Sequence, residues 1–259
     1  MAGSILVADV GGVRTITLNR PERRNAMTPE MQEELIAAFA DAGTARDCRV
    51  VVLAGAGEAF CAGLDIETLK TSVGQSSEAH RADASRVARL FRALYELEKP
   101  TIAAVQGVAV AGGTGLATLC DFTLATPSAR FGYTEVRIGF VPALVAAYLA
   151  LQVGEKRARE LFLTGRIFGA EEALRLGLVT EVVAEEKLQE RVAELAAALV
   201  ANSPEAMAAT KRLLLAQNKL WLDAAIAESL EANALARTTP DFKEGVTAFL
   251  EKRKPVWNR

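Results

Sequence analysis

PTIAAVQGVAVAGGTGLATLCDFTLAT, residues 100–126, is the stretch from which the fold is read. Pro100 to Gly107 is an apolar, β-branched run of the kind that forms a buried strand, and Val108–Val110 is a second strand-like run. Ala111-Gly112-Gly113-Thr114-Gly115 then turns the chain into an apolar helical segment ending at Cys120, and Asp121–Thr126 reads as a further strand. Glycines at this density mean that the backbone turns sharply or comes close to something. The segment carries almost no reactive side chain, so whatever chemistry it supports has to come from the backbone.

Outward from this stretch the same alternation continues. SILVADVGGVRTITLNRP holds two short β-rich runs around Gly11-Gly12, a hairpin signature. Thr28 followed by Pro29 predicts a helix N-terminus, with Met31, Leu35, Ile36 and Phe39 as its apolar stripe. RVVVLAG (49–55) reads as a buried strand, and SEAHRADASRVARLFRALYELEK as a helix through Val87, Leu90, Phe91 and Leu94. Strands alternating with helices imply a largely parallel sheet. After about Thr180 the signal is nearly all helix, broken at Ser203-Pro204 and Thr239-Pro240. The expectation is an α/β core over residues 1–200 and a helical extension over 201–259. Its alanine-rich helices pack closely and suit contact with a neighbouring subunit.

At 259 residues, 51% hydrophobic and 24% charged, the composition is that of a soluble globular chain. A net charge of −2 gives no electrostatic footprint for nucleic acid. No apolar run approaches the ~20 residues that span a bilayer, and the N-terminus lacks a signal-peptide pattern, so a cytoplasmic location is expected. Cys48, Cys61 and Cys120 are widely spaced and read as reduced, buried thiols. The single histidine, His80, lies in a polar stretch and is expected at the surface, which leaves little basis for a catalytic triad or a histidine-rich metal site. No metal is expected.

Two glycine turns, GEAFCAGLDIETL (57–69) and VAVAGGTGLATL (108–119), each lead from a strand toward a helix start, where backbone N–H groups are unpaired. Two such groups converging on one point make an oxyanion hole. AGGTG is neither a phosphate-binding loop ending in Gly-Lys-Ser/Thr nor a dinucleotide fingerprint, so nucleotide readings fall away.

LNRPERRNAM, AFCAGLDI, KPTIAAVQGVAVAGG, CDFTLATPSARFGYTEVRIGFVP, LTGRIFGAEEALRLGLVTEVV and the final AFLEKRKP occur in that order. Together they closely resemble the enoyl-CoA hydratase/isomerase (crotonase) superfamily over about residues 5–256. The resemblance implies a crotonase-type ββα spiral core, an acyl-CoA substrate, no separate cofactor because coenzyme A is part of the substrate, and a trimer or dimer of trimers. It implies that the Leu64 and Gly112 N–H groups form the oxyanion hole. Arg24, Ala26, Ala62, Asp65 and Ile66 would hold the adenine end of CoA, and Phe249 and Lys252 could reach a CoA on a neighbouring subunit. Of the two glutamates of the well-known hydratases, the first position is Gly115 here, placed at the substrate, and the second is Glu135. The chain is thus similar to a one-glutamate branch resembling enoyl-CoA and methylglutaconyl-CoA hydratases.

Glu135 stands among Phe131, Val136, Ile138 and Phe140, which should raise its pKa and fit it to exchange protons near neutrality. One carboxylate and a backbone hole support either hydration of a trans-2-enoyl-CoA or Δ3,Δ2-isomerisation by proton transfer. The resemblance favours hydration, with Thr114 or Thr118 as further groups that could assist. GFVPALVAAYLAL has no Asp or Glu, which suggests an apolar acyl pocket, and Tyr133 is expected to pack rather than react. Two rivals from other classes are a non-catalytic acyl-CoA-binding protein and a Clp-type serine protease, which would need His80 beside a nucleophile.

Overall fold

A computed structural model describes residues 3–257. In chain order its elements are β1 (Ile5–Val10), β2 (Val13–Leu18), α1 (Pro29–Thr44), β3 (Val50–Gly55), α2 (Ile66–Ser72), α3 (Ser77–Tyr95), β4 (Thr101–Val105), β5 (Val108–Val110), α4 (Gly112–Leu119) and β6 (Phe122–Ala125). There follow β7 (Arg130–Gly132), α5 (Ala143–Thr164), β8 (Phe168–Gly169), α6 (Ala170–Arg175), β9 (Glu181–Val182), α7 (Leu188–Val200), α8 (Pro204–Ala236) and α9 (Pro240–Leu250). The main sheet has the order β1-β2-β3-β4-β6-β9 and is parallel apart from the β1–β2 hairpin. A second sheet, β5-β7-β8, carries α4 at its end.

Period-two alternation divides the core. Val51 and Leu53 of β3 and Ala103 and Val105 of β4 face the larger cluster, with Leu35, Phe39 and Leu94 of α1 and α3. Val50, Val52, Ile102 and Ala104 face the other way, onto Leu188, Val192, Ala196 and Leu199 of α7. Both faces of the central strands are covered, which is why they read as unbroken apolar runs.

The predicted helix starts form as their chemistry requires. Thr28, Ser203 and Thr239 each accept a hydrogen bond from the N–H three residues on, at 3.2–3.3 Å, with proline opening the helix. Within residues 201–257, Leu222 and Ile226 of α8 enter the main core, and α9 packs on α2 and on the short helical turn Glu135–Ile138. The three cysteines are free and buried, and burial pushes the thiols of Cys61 and Cys120 up to about 12.

His80 corrects the sequence reading. It is buried beneath α2, with Nε2 2.9 Å from the Ser72 carbonyl oxygen. His80, Ala84, Val87, Phe91 and Leu94 all lie on the buried side of α3, spaced at four and three residues, and the histidine begins that stripe.

Candidate active site

Two extended segments lie side by side and bring the glycine turns together. Cys61 N donates to Val108 O and Val110 N to Cys61 O, both at 3.0 Å, a parallel bridge between the Cys61–Leu64 loop and β5. Gly63 has φ +86°, and a Cβ there would lie 3.0 Å from the Ala111 Cβ and 3.6 Å from the Gly112 nitrogen. A Cβ at Gly113 would overlap the Cys61 carbonyl oxygen. The glycines thus permit the backbone approach that larger residues would block.

In this arrangement Met27 N donates to Gly63 O and Asp65 N to Met27 O, and among the described residues no backbone acceptor takes the Leu64 N–H. Gly112 opens α4, so its N–H has no acceptor within the helix. Ala111, just before it, is held at φ +51°, ψ −126°, with its N–H bonded to Gly132 O at 2.7 Å. Strain of this kind persists only where surrounding bonds enforce it.

Glu135 opens the helical turn after β7 and lines the same cavity, of about 470 Å3, as Leu64 and Gly112. Its Oε2 is buried without a hydrogen-bond partner among the described residues. Burial raises its pKa to about 7, only partly offset by its own backbone N–H. That is the state the surrounding apolar residues led one to expect.

Of the other residues singled out, Arg24, Ala26, Ala62, Asp65 and Ile66 also line this cavity. Arg24 and the buried Asn25 are both left-handed, at φ 51° and 56°. The Asn25 amide fixes the loop by donating to the Ala56 and Ala59 carbonyls at 2.9 and 2.7 Å. Asp65 caps α2 by accepting from Glu67 N and pairs with Arg20, each at 3.0 Å. Phe249 lines the cavity of its own chain, whereas Lys252 is exposed and outside the lining.

Gly115 is not in the cavity wall. It lies behind Phe91 and Val145, which are; a Cβ on it would stand 2.7 Å from Val145 Cγ1 and 3.1 Å from Phe91 Cζ. Thr114 and Thr118 are tied into the fold, their hydroxyls donating to Ala109 O at 2.7 Å and Thr114 O at 3.0 Å. Tyr133 packs edge-on against Phe162, with ring centroids 5.0 Å apart. Sequence reasoning missed Asn233 and Arg237, two buried polar residues in the cavity wall. Their spacing of four continues the α8 stripe from Leu222 and Ile226, a signal for burial but not for what they face.

Comparison with known proteins agrees with this architecture. Residues 9–259 match the family described as Enoyl-CoA hydratase/isomerase, and the chain belongs to that family. It is 44% identical over 245 residues to a Thermus thermophilus protein named "Putative enoyl-CoA hydratase", covering 95% of this chain and 97% of that one. It is 35% identical to the short-chain-enoyl-CoA hydratase of Clostridium acetobutylicum, over 97% of this chain and 96% of the relative. The crystal structure of an enoyl-CoA hydratase/isomerase from Xanthobacter autotrophicus Py2 superposes with a TM-score of 0.90 at 32% identity, covering 98% of each chain.

Proposed function

We propose that this chain is an enoyl-CoA hydratase that adds water across the 2,3 double bond of a trans-2-enoyl-CoA. The observation that carries this reading is Glu135, whose Oε2 is buried with no partner among the described residues, lining the same cavity as the Leu64 and Gly112 N–H groups that no described backbone acceptor takes. Coenzyme A arrives as part of the substrate, its adenine end along Arg24, Ala26, Ala62, Asp65 and Ile66, and the acyl chain runs toward Phe91 and Val145. The thioester oxygen accepts from the Leu64 and Gly112 N–H groups. The Glu135 carboxylate takes a proton from water as the water oxygen bonds to the β-carbon, and the double-bond electrons move onto the thioester oxygen as an enolate. The same carboxyl returns the proton to the α-carbon, the enolate collapses to the thioester, and Glu135 ends ionised as it began. Each oxyanion donor is worth about 2.7–4 kcal/mol in such sites. A trimer or dimer of trimers is part of this proposal, supported by exposed apolar side chains on α8 that include Leu213, Leu220 and Trp221.

Δ3,Δ2-isomerisation is the second reading. It is favoured by the single carboxylate, since Phe91 and Val145 occupy the space beside Gly115. The two separate in heavy-oxygen water with crotonyl-CoA and a 3-enoyl-CoA offered in turn. Hydration puts label into 3-hydroxyacyl-CoA, and Glu135→Gln lowers that rate by about 10²–10⁴. Conversion of the 3-enoyl to the 2-enoyl thioester without label makes the chain an isomerase. Inactivity on both overturns both readings and favours an acyl-CoA-binding protein.

A further inference from the structure

A water molecule that adds to a double bond brings two protons, and Glu135 takes only one of them. Unless the other also meets an acceptor, the water turns freely and its lone pair is not held on the β-carbon. Thr114 and Thr118, the hydroxyls that the sequence offered as assistants, are bonded to backbone carbonyls inside the fold. Gly115 has no side chain and lies behind Phe91 and Val145. The second acceptor has to come from elsewhere in the cavity wall.

Among the described residues, Thr134 is the one hydroxyl-bearing residue of that wall, and it directly precedes Glu135. It holds the N-cap position of the 135–138 turn, where a threonine ordinarily bonds the backbone. Thr28, Ser76, Ser203 and Thr239 do so, each accepting from the N–H three residues on at 3.2–3.3 Å. At Thr134 the corresponding N–H, that of Arg137, goes to the Thr134 carbonyl at 3.0 Å instead, and the hydroxyl caps nothing. The side chain is half-buried, and its Oγ1 is not among the sealed polar atoms. The other side-chain acceptors of the wall are committed or exposed. Asp65 caps α2 and pairs with Arg20, Asn233 Oδ1 accepts from Arg237, and Glu22 is exposed on the Pro21–Arg23 turn.

We infer that Thr134 Oγ1 holds the attacking water jointly with Glu135 and is a second catalytic residue of this site. Consecutive backbone positions stand about 3.8 Å apart, a spacing that one water molecule bridges. One water proton points at the Glu135 carboxylate and the other at Thr134 Oγ1, so an oxygen lone pair faces the β-carbon. As the oxygen bonds to that carbon, the first proton passes to Glu135 and the double-bond electrons pass to the thioester oxygen. The second proton stays on the oxygen and becomes that of the product hydroxyl, still hydrogen-bonded to Thr134. Thr134 itself neither gains nor loses a proton. The inference rests on the hydratase reading, and it gives a site with one carboxylate the second contact to water that Gly115 cannot make.

The test compares Thr134→Val, which removes the hydroxyl and nearly keeps the shape, with Thr134→Ser, which keeps the hydroxyl. Hydration of crotonyl-CoA in heavy-oxygen water is followed for each across pH. Thr134→Val is expected to lower kcat about ten- to hundredfold. Its KM for crotonyl-CoA and the pH midpoint set by Glu135 stay at their wild-type values, and Thr134→Ser recovers most of the rate. A Thr134→Val enzyme that hydrates at the wild-type rate overturns the inference and leaves the hydratase reading standing. So does one in which KM rises and the pH midpoint moves as kcat falls, because Thr134 then only shapes the turn that carries Glu135. Thr134→Ser as slow as Thr134→Val overturns it on the same ground. A wild type that puts no label into 3-hydroxyacyl-CoA sinks the hydratase reading, and this inference with it.

Discussion

Glu135 pays for its chemistry in stability, and both sides are measurable. With a pKa near 7 it is about half ionised at neutrality, and only the carboxylate can accept the proton of water. Hydration kcat/KM is therefore expected to fall about tenfold per pH unit below 7 and to level off above it, in a pH–rate profile that Glu135→Gln flattens. In the unfolded chain a glutamate titrates near 4.3, so between about 4.3 and 7 the folded state binds the proton more tightly. Stability from this group is thus full below about pH 4.3 and is lost as pH rises through about 7. Glu135→Gln should raise stability at pH 8 by about 1–3 kcal/mol and change it little at pH 4, read as melting temperature against pH. An equal shift at both pH values would mean that the carboxylate is solvated. The direction of this perturbation was legible in the sequence, because its close apolar neighbours flank it along the chain. Its extent depends on α9 folding back over the 135–138 turn, a contact between residues about a hundred positions apart.

The elements show where sequence reading stops. Thr28-Pro29, Ser203-Pro204 and Thr239-Pro240 marked helix starts because capping is a contact over three residues. The two glycine turns were legible as well, but the bridge that joins them pairs residues 61 and 109 and has no local signature. His80 was misjudged because its polar neighbours outweighed the stripe it begins. Gly115 is the most instructive case, because the resemblance placed it at the substrate while α3 and α5 close over it. Gly115→Glu should not add a second catalytic carboxylate. Its Cβ would press on Val145 and Phe91, costing about 1–3 kcal/mol by overpacking and more from burying the charge, with hydratase activity lowered rather than raised. Adding Val145→Ala should recover part of the lost stability in a chemical denaturation curve. A Gly115→Glu protein as stable as the wild type and faster would place that side chain in the cavity after all.

At the scale of the whole molecule, α8 is the element that joins the cavity to the outside. Its buried side carries Leu222 and Ile226 into the core and ends on Asn233 and Arg237 in the cavity wall. Its outer side exposes Leu213, Leu214, Leu220, Trp221 and Leu235, and Leu220 is 89% exposed. A single chain gains nothing from an apolar helix face left in water, whereas the proposed threefold assembly would bury it. Light scattering of the purified protein is expected to give three or six times the chain mass of 27.6 kDa. The double variant Leu213→Asp, Leu220→Asp should give a single-chain mass while keeping wild-type helicity by far-ultraviolet circular dichroism. Because the same helix ends at the cavity, kcat should fall in that variant, by a factor that grows on dilution in any variant that only weakens assembly. A wild-type protein that runs as one chain at micromolar concentration would sink the oligomer proposal. The exposed face of α8 would then need a different partner, and the cavity would be complete within a single chain.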